Sequence, residues 1–566
     1  MRSRSSFVRS IFRPALLTSL TSGYNFSNFT KDVISGSTVG IVALPLAMAF
    51  AIASGCPPER GLFTAIIAGF IISGLGGSRF QIGGPTGAFL VIVAGIISRH
   101  GYEGLVVATF MAGIMLLIMG CCGLGKLLKF IPYPVTTGFT TGIALLIFTT
   151  QVKDLLGLAV PNLSAEFLPK VYELAQAIPT AHSNSMLVAA LTLTTIFLTR
   201  RFVPRFPSHI AGIIVATAIA AIAGLDVPTI GTCFGGIPAE LPSFNAPKNL
   251  VPLAVTMLPD AITIALLAAI ESLLSAVVAD GMTGERHSSS TELIAQGIAN
   301  TASSLFGGIP ATGAIARTAT NIRAGAFSPV SGMIHAVVLA LFIKFLAPVA
   351  SAIPLASLAA ILTFVAWDMS ELPKFIHILH APKSDVAVML TTFLLTVLVD
   401  LTVGVQFGVG LAALLLIGRI SDATRFTNWE HPKASSVVRR PSWHNQIETY
   451  EINGPFFFGC ADRFAQTFTL MRKPPQVIIF RMRHVHTIDA TAMHALELVI
   501  RQMKQVNVRV IFSGVDPSVR KQIIRFGLLE LLGTDDICDS FGTAWTIANQ
   551  HVSENSAAPD GTPALI

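Results

Sequence analysis

Charged residues are scarce in this chain. They make up 12% of its 566 residues, whereas hydrophobic residues make up 52%. Soluble domains carry about 25% charged residues, so this composition argues against an ordinary soluble protein and indicates a membrane protein. The net charge of +7 is small, and most lysines and arginines lie in the termini and in short loops. This distribution favours a role in membrane topology over nucleic-acid binding.

Cysteine is also sparse and lacks a pattern. The six cysteines are scattered, and only Cys121 and Cys122 are adjacent. Because neither a disulfide framework nor a metal-ligand spacing is present, we expect free thiols and no bound metal. The sequence also lacks a nucleophile–base constellation and a phosphate loop of the G-x-x-x-x-G-K-[ST] kind, which argues against an enzyme and against a cofactor.

A cleavable signal peptide is the third missing feature. The first thirty residues hold four arginines but no central apolar run that ends in a cleavage motif. We therefore expect residues 1–30 to form a basic cytosolic arm.

Long apolar runs fill residues 31–425. We identify about fourteen segments, most of them near the length that spans about 30 Å of hydrocarbon. The basic loops favour an even number of crossings with both termini in the cytosol. The predicted spans are 33–54, 60–77, 85–98, 104–122, 131–150, 184–200, 208–225, 253–278, 291–306, 314–322, 329–347, 353–366, 384–400 and 402–419.

Two short segments interrupt the apolar pattern, namely Ser78–Phe89 (SRFQIGGPTGAF) and Ile309–Asn321 (IPATGAIARTATN). Broken polar backbone at membrane depth is tolerated only where it lines a cavity. A pair of such segments at corresponding places in two halves is typical of a transporter site built from inverted repeats. The halves would be about 31–228 and 250–422, and an odd number of spans in each would turn the second half upside down.

Each short segment leads into the start of a helix. Helix N-termini offer free N–H groups and about half a positive charge, so two of them facing one point would bind an anion. Close helix packing is the alternative explanation for the glycines. The predicted anion-binding residues are Thr86, Gly87 and Ala88 in the first segment and Gly313, Ala314 and Ile315 in the second.

Two charged residues lie in the apolar region near these segments. Glu271 is in the middle of the run ALLAAIESLLSAVV, and Arg317 is in the second short segment. A charged side chain at the bilayer centre costs about 2.5–3.5 kcal/mol on insertion scales, so each needs a partner. We expect the two to pair, with Glu271 as the group that takes up a coupling proton. A purely structural ion pair is the alternative.

Three further polar residues, Glu292, Gln296 and Asn300, recur at intervals of four. This spacing places them on one face of a helix, where we expect a hydrogen-bonded face packed inside the protein. Asp32 and Asp400 lie at the ends of segments, where an interfacial or a capping role is sufficient.

The composition changes after Ser442. Short β-branched runs alternate with segments of helical spacing, which predicts a small α/β domain over residues 443–550. Residues 551–566 are rich in Pro, Ala and Gly, so we expect a disordered tail.

Taken together, the chain resembles the SulP (sulfate permease) family of anion transporters with a C-terminal STAS domain. The resemblance implies about fourteen membrane segments in two inverted repeats, divided into a core (segments 1–4 and 8–11) and a gate, in a homodimer of the bacterial inner membrane. The runs that carry it are Ala43–Gly55, Gly76–Gly87, Ile270–His287, Glu292–Asn300, Asn321–Gly332 and, for the STAS domain, His486–Leu496.

The resemblance also assigns roles to single residues. It implies that Phe50 lines the substrate site. In sodium-coupled members an aspartate, a hydroxyl one turn later and a threonine occupy the positions of Glu271, Ser275 and Ile315 here. With Arg317 added, this combination argues against a sodium site and favours proton coupling through Glu271 and Ser275.

Within the family, the resemblance is greatest to proton-linked bacterial carriers of succinate-like dicarboxylic acids. A sulfate or bicarbonate transporter and an uncoupled anion channel are the alternatives. In STAS domains that act as phosphorylation switches a serine follows the loop aspartate, whereas Ala490 follows Asp489 here. We therefore expect the STAS domain to dock, to stabilise a dimer or to bind a cytosolic partner.

Overall fold

The computed structural model describes residues 12–125, 132–160, 163–164, 166–203, 207–238, 240–247, 250–399, 401–428, 446–469 and 474–557. The chain forms two compact units, Met1–Gly410 and Leu411–Ile566. The predictions for Asp400 and for residues 1–11 of the basic arm, 443–445 of the C-terminal domain and 558–566 of the tail lie outside the described residues.

The first unit consists almost entirely of helices. Their bounds are α1 Ala15–Thr21, α2 Phe26–Ala53, α3 Pro58–Leu75, α4 Leu90–Cys121, α5 Tyr133–Leu156, α6 Phe167–Ala177, α7 Ser183–Phe202, α8 Ser208–Ile222, α9 Ile230–Phe234, α10 Leu250–Thr283, α11 Ser289–Leu305, α12 Ile315–Arg323, α13 Val330–Ala350, α14 Leu355–Met369, α15 Leu372–Ile378, α16 Lys383–Leu398 and α17 Leu401–Ala423.

Among the described residues, nine helices are long and apolar enough to cross a membrane. One of them, α4, contains two predicted spans, because Gly101 adopts φ 66° and ψ −176° and interrupts the helix between them. The shorter helices α8, α11, α12 and α16 coincide with four other predicted spans. Helix α2 begins at Phe26, so the first span starts within the predicted basic arm.

Small residues allow the helices to pack closely. A Cβ atom on Gly36 of α2 would lie 2.2 Å from the Ser331 carbonyl oxygen of α13, and one on Gly61 of α3 would lie 1.9 Å from the Ala47 carbonyl oxygen of α2. Such contacts let backbones approach without intervening side chains, as is common in membrane helix pairs.

The helices fall into two groups by their packing. Helices α2, α3, α4, α10, α11, α12 and α13 pack mainly on one another, and α5, α7, α8, α14 and α16 form a second set. Helix α17 joins the second set through Gly404 and Gly408, which face Thr396 and Thr392 of α16. The grouping agrees with the core and gate that the family resemblance implies, so we use those two names below.

A short β-ladder connects the two halves of the core. Strand β1, Gly83–Gly84, pairs antiparallel with β2, Thr312–Gly313, in the register Gly83 to Gly313 and Gly84 to Thr312. A 3₁₀ turn, Gly87–Phe89, follows β1 and runs into α4, whereas β2 leads directly into α12. The two predicted short segments are therefore joined by backbone hydrogen bonds.

The polar face predicted on α11 is buried and fixes both short segments. Glu292 accepts hydrogen bonds from the Gly77 and Ser78 amides (2.9 and 3.3 Å) and from the Gln81 side chain (2.9 Å). Asn300 donates to the Ala311 carbonyl and accepts from the Ala311 amide, both at 2.8 Å. The packed polar face is thus confirmed, and each end of it holds one segment.

Asp32 lies inside α2 and not at the end of a segment as predicted, and it binds the loop before α13. Its carboxylate accepts hydrogen bonds from the Phe327 and Ser328 amides at 2.7 and 3.0 Å, just before α13 begins. Asp32 is completely buried, so these donors compensate for the loss of water around the charge.

The second unit contains a five-stranded sheet in the order β3-β4-β5-β6-β7, in which only the β3–β4 pair is antiparallel. Helices cover both faces of the sheet, as in an α/β domain. The bounds are β3 Arg425–Asn428, β4 Ile447–Asn453, α18 Phe458–Thr469, β5 Val477–His484, α19 Ala490–Gln505, β6 Arg509–Ser513, α20 Pro517–Arg525, β7 Ile537–Cys538 and α21 Phe541–Ala557.

Asp489 holds the loop that precedes α19. One carboxylate oxygen accepts the Ala492 amide and the other accepts the Phe458 amide, both at 2.9 Å. This arrangement is an N-cap that also ties the loop to α18. The prediction of a disordered tail from residue 551 is wrong for residues 551–557, because α21 continues to Ala557.

All six cysteines are free, as predicted. Cys460 and Cys538 are buried in the second unit, and burial raises the pKa of both thiols above its usual value. A protonated, enclosed thiol is a poor nucleophile, so these side chains serve packing.

Candidate anion-binding site

The first half of the site is the helix start that follows β1. Thr86 is extended (φ −130°, ψ 162°) and acts as the N-cap of the 3₁₀ turn Gly87–Phe89. The amides of Gly87 and Ala88 come before any carbonyl that could accept them within this helix, so both remain free as donors. The turn is buried. Thr86, Gly87 and Ala88 thus lie at a buried helix start, and their role in binding an anion stays a prediction.

In the second predicted half, the first two amides already have acceptors within the protein. The Gly313 amide donates to the Ser272 hydroxyl at 3.0 Å, and the Ala314 amide donates to the Ile82 carbonyl at 2.8 Å. Two of the three predicted residues, Gly313 and Ala314, therefore use their amides inside the protein, because the β-ladder continues to the N-cap of α12. The first turn of α12 instead leaves the amides of Ile315 and Ala316 without an intrahelical acceptor.

Glu271 contacts the first half of the site directly. The Thr86 hydroxyl donates a hydrogen bond of 2.9 Å to Glu271 Oε2. Glu271 lies on α10 and is only partly buried, whereas Thr86 is 7% exposed. A carboxyl group therefore lies within hydrogen-bond distance of the residue that caps the first half-helix.

Arg317 approaches the same place from the opposite half. Its Nη2 donates to the Pro85 carbonyl oxygen at 2.5 Å, and its side chain is buried. The ion pairs among the described residues do not include the predicted one between Arg317 and Glu271, although the two charges interact electrostatically. A backbone carbonyl takes the place of the carboxylate, so Arg317 and Glu271 hold the successive residues Pro85 and Thr86.

Gly84 makes room for the arginine. A Cβ atom on Gly84 would lie 2.6 Å from Arg317 Nη1, and the φ of 151° at Gly84 is one that favours glycine. Any side chain here would displace the guanidinium group from Pro85. Arg317 Nη1 itself has no hydrogen-bond partner among the described residues.

His335 is a buried polar residue of this region that sequence reasoning missed. It lies on α13, is completely buried, and neither ring nitrogen has a hydrogen-bond partner of regular geometry among the described residues. The Gly332 backbone one turn earlier and the Arg317 charge interact with the ring. The ring packs against Gly69: a Cβ atom on Gly69 would lie 3.5 Å from His335 Cε1. The sequence feature that could have identified His335 is a single histidine within an apolar helix.

Ser275 lies one turn after Glu271 but belongs to a different set of hydrogen bonds. Its hydroxyl donates to Thr318 Oγ1 at 3.1 Å, and the same oxygen accepts the Ile82 amide at 3.1 Å. The predicted coupling hydroxyl thus ties α10 to α12 and to the residue before β1.

Phe50 and the first half-helix meet at the boundary between core and gate. A Cβ atom on Gly87 would lie 3.3 Å from Phe50 Cε1, 2.8 Å from Ile147 Cδ1 and 3.4 Å from Met369 Sδ. Phe50 belongs to the core helix α2, whereas Ile147 and Met369 belong to the gate helices α5 and α14. The structure therefore brings Phe50, Thr86 and Gly87 together, with gate side chains against the same turn.

The positive potential of the site comes from protein groups. Within the described ranges, no group of three His, Cys, Asp or Glu side chains could hold a metal ion. Two helix starts supply partial positive charge, and Arg317 supplies a full one behind them. Such an arrangement attracts an anion by backbone donors and electrostatics.

Comparison with known proteins identifies the family. The sulfate permease family model matches residues 29–392, and the STAS domain model matches residues 443–544. The putative sulfate transporter YvdB of Bacillus subtilis is 43% identical over 91% of this chain and 97% of its own. The bicarbonate transporter BicA of Picosynechococcus is 31% identical over 91% of this chain and 94% of its own.

Solved structures share the fold. The structure of the murine anion transporter Slc26a9 in the inward-facing state matches 96% of this chain and 95% of that chain with a TM-score of 0.84 at 17% identity. The transmembrane domain of a cyanobacterial bicarbonate transporter BicA matches 69% of this chain and 98% of that domain with a TM-score of 0.59 at 30% identity. The relatives are transporters rather than enzymes. This chain belongs to the sulfate permease family and is an integral-membrane anion transporter with a C-terminal STAS domain.

Proposed function

We propose that this chain is a secondary active transporter that carries a dicarboxylate together with a proton, and that Glu271 holds the proton. The observation that carries this proposal is the 2.9 Å hydrogen bond between Thr86 and Glu271 at the start of the first half-helix. It places an ionisable group next to the donors that would bind the anion.

The coupling follows from electrostatics. An ionised Glu271 occupies the Thr86 hydroxyl and repels an incoming anion at close range. A protonated Glu271 no longer repels the anion. The anion therefore binds more tightly when the proton is present, and by linkage the proton binds more tightly when the anion is present. This reciprocity favours carrying both together.

A dianion suits the charge of the site. Two half-helix starts supply roughly one positive charge between them, and Arg317 adds another on the far side of Pro85. Among dianions we propose succinate or fumarate, because the sequence motifs resemble those of proton-linked dicarboxylate carriers. Sulfate and bicarbonate, named for the relatives YvdB and BicA, are the alternative substrates.

The contacts of Gly87 with Ile147 and Met369 support an elevator-like cycle. In this cycle the core, with the anion on it, slides against the gate. The β-ladder keeps both half-helices together in the core while the gate contacts break and reform. We further propose a homodimer in the bacterial inner membrane with both termini in the cytosol, and a docking or regulatory role for the STAS domain.

The decisive experiment is uptake of radiolabelled succinate into liposomes that contain the full-length protein. An inward proton gradient should stimulate uptake by the unaltered protein. In Glu271→Gln uptake should become insensitive to the gradient, while exchange of internal for external succinate persists. Parallel assays with sulfate and bicarbonate identify the substrate.

Asp260→Asn is the matched control, because Asp260 lies on the same helix α10 but pairs with Arg99 at 3.0 Å. It should keep the response to the gradient. Gradient-insensitive uptake by the unaltered protein would contradict proton coupling. Large anion currents without saturation would instead favour a channel.

A further inference from the structure

A cavity of about 440 Å³, lined by both charged and apolar groups, lies at one end of the core, away from the anion site. The residues around it come from the N-terminal segment, from the loop after α3 and from the loop between α10 and α11. They include Arg13, Ser22, Gly77–Phe80, Asp280 and Glu285–Ser288. Its volume is within the range of about 300–1,000 Å³ that is typical of small-molecule sites.

The N-terminal segment is fastened over this cavity by backbone hydrogen bonds. The Arg13 amide donates to Thr291 Oγ1 at 3.1 Å, and the Ala15 amide donates to the Gly76 carbonyl at 2.8 Å. Helix α1 follows directly. The wall of the cavity is therefore a defined part of the fold.

Most charges in the cavity are already paired. Arg79 bonds to Glu285 and to the Phe327 carbonyl, and His287 Nδ1 lies 2.7 Å from Asp280 Oδ2.

Two guanidinium groups are left over. The side chains of Arg13 and Arg286 have no ion pair or hydrogen bond within the described part of the chain, and both residues are exposed. Two uncompensated arginines at one cavity form an anion site, and planar guanidinium groups suit phosphate oxygens in particular.

The outer side of α1 is apolar. Leu17 and Leu20 are 60% and 45% exposed, whereas Ala15 and Ser19 on the opposite side are buried. Phe26, at the start of the membrane helix α2, is 82% exposed. Apolar side chains beside arginines are typical of a helix that lies at the membrane–water interface. This pattern favours a position of the cavity beside the phospholipid headgroups.

We propose that this cavity binds the phosphate group of an anionic phospholipid through Arg13 and Arg286. The site is separate from the transport site and does not depend on its substrate. It includes Gly77, whose carbonyl accepts the Ser288 amide at 3.1 Å and whose own amide donates to Glu292. The same stretch continues into β1 and the first half-helix, so an occupied cavity would stiffen the support of the anion site.

The test measures thermal unfolding of the purified full-length protein in neutral detergent. Phosphatidylglycerol is titrated in, with phosphatidylcholine and inorganic pyrophosphate in parallel. Phosphatidylglycerol should raise the unfolding temperature saturably. In the double variant Arg13→Gln/Arg286→Gln, the phosphatidylglycerol concentration needed for half of the effect should rise by roughly tenfold or more. This is the change expected when hydrogen bonds to a charged group are lost.

Two further variants complete the design. Arg323→Gln removes an exposed arginine outside the cavity and should bind as the unaltered protein does. Ser22→Glu adds a negative charge at the rim without removing an arginine, so it should also weaken binding. It replaces the double variant in the test if that variant is too unstable to measure.

The outcomes separate the sources of phosphate. Stabilisation by phosphatidylglycerol alone, lost in the cavity variants, supports the lipid site. Equal or greater stabilisation by pyrophosphate, lost in the same variants, overturns the lipid source in favour of a soluble phosphate compound. Unchanged binding in both cavity variants, or an equal response to phosphatidylcholine, overturns the proposal.

Discussion

The Thr86 hydroxyl joins the first half-helix to Glu271 by a side-chain hydrogen bond. Thr86→Val keeps the shape of the side chain and removes the hydroxyl. Because a hydrogen bond to a charged group is worth about 1.5–3 kcal/mol, we expect roughly tenfold or more weaker succinate binding and a reduced response to the proton gradient.

Thr86→Ser, which keeps the hydroxyl, should retain most of the affinity. Thr109→Val is the matched control, because the Thr109 hydroxyl donates to the Leu105 carbonyl of its own helix and, within the described ranges, to no other residue. Isothermal titration of the purified protein gives the affinities. Equal affinities for Thr86→Val and the unaltered protein would remove Thr86 from the site.

His335 offers a test of how a buried polar side chain affects the stability of the protein. Its two ring nitrogens are buried without regular partners among the described residues, and a buried unsatisfied polar group costs about 1–3 kcal/mol. His335→Leu should therefore raise the unfolding temperature in detergent. A fall in that temperature would mean that the imidazole makes a favourable interaction, for example with a buried water molecule.

Sequence reasoning anticipated the geometry of the first short segment better than that of the second. Thr86, Gly87 and Phe50 lie together, because local turn chemistry and the family resemblance both point to them. Gly313 and Ala314 are occupied, because their partners, Ser272 and Ile82, are distant in sequence.

The hydrogen-bond partner of Arg317 was missed for a similar reason, although its electrostatic interaction with Glu271 was predicted. Sequence patterns match a buried charge with the nearest opposite charge, whereas Arg317 donates to the Pro85 carbonyl oxygen. A backbone carbonyl is present at every residue and leaves no signal in a sequence.

At the scale of the element, α11 carries the strongest structural role. Glu292 accepts four hydrogen bonds while completely buried, including one from Gln296 at 3.1 Å. Glu292→Gln turns an amide group toward these donors, so we expect a loss of about 3 kcal/mol and a clearly lower unfolding temperature.

Asp260→Asn, which changes a carboxylate of α10 that is paired with Arg99, should lower the unfolding temperature much less. The measurement is thermal unfolding of the full-length protein in detergent, followed by tryptophan fluorescence. Similar losses in both variants would show that the α11 network is not special.

The helices themselves were predictable from hydropathy, because about 30 Å of hydrocarbon requires an apolar run of fixed length. The break at Gly101 was predictable as a gap between two short spans. The end of α21 at Ala557 was not predictable from the sequence. An Ala-rich and Ser-rich segment can form a helix when its apolar side, here including Val552, packs on the sheet.

For the whole molecule, the contact between core and gate at Gly87 controls transport in our proposal. Gly87→Ala places a methyl group 2.8 Å from Ile147 Cδ1. Overpacking of this kind costs about 1–3 kcal/mol, so we expect uptake to slow by roughly tenfold as the contact is disturbed.

Ile147→Val removes the Cδ1 atom and should restore much of the rate in the double variant. Gly95→Ala is the control, since a Cβ there meets nothing within 4 Å. Initial rates of labelled succinate uptake provide the comparison. A normal rate for Gly87→Ala would show that core and gate do not close on this turn.

The grouping into core and gate could not be predicted from hydropathy, which gives every membrane helix the same signal. It came from the family resemblance and agrees with the packing, in which glycines such as Gly36 and Gly138 decide which helices approach closely.

The ladder between β1 and β2 has a consequence for how the protein is made. The Arg317–Pro85 hydrogen bond beside it joins residues 232 positions apart. At about 5–20 residues per second, a ribosome needs roughly 10–50 seconds to synthesise that interval. Throughout that time the first segment, Ser78–Phe89, is in the membrane without its partner strand. Insertion of this transporter therefore requires a site where exposed backbone is sheltered from lipid until the second half arrives.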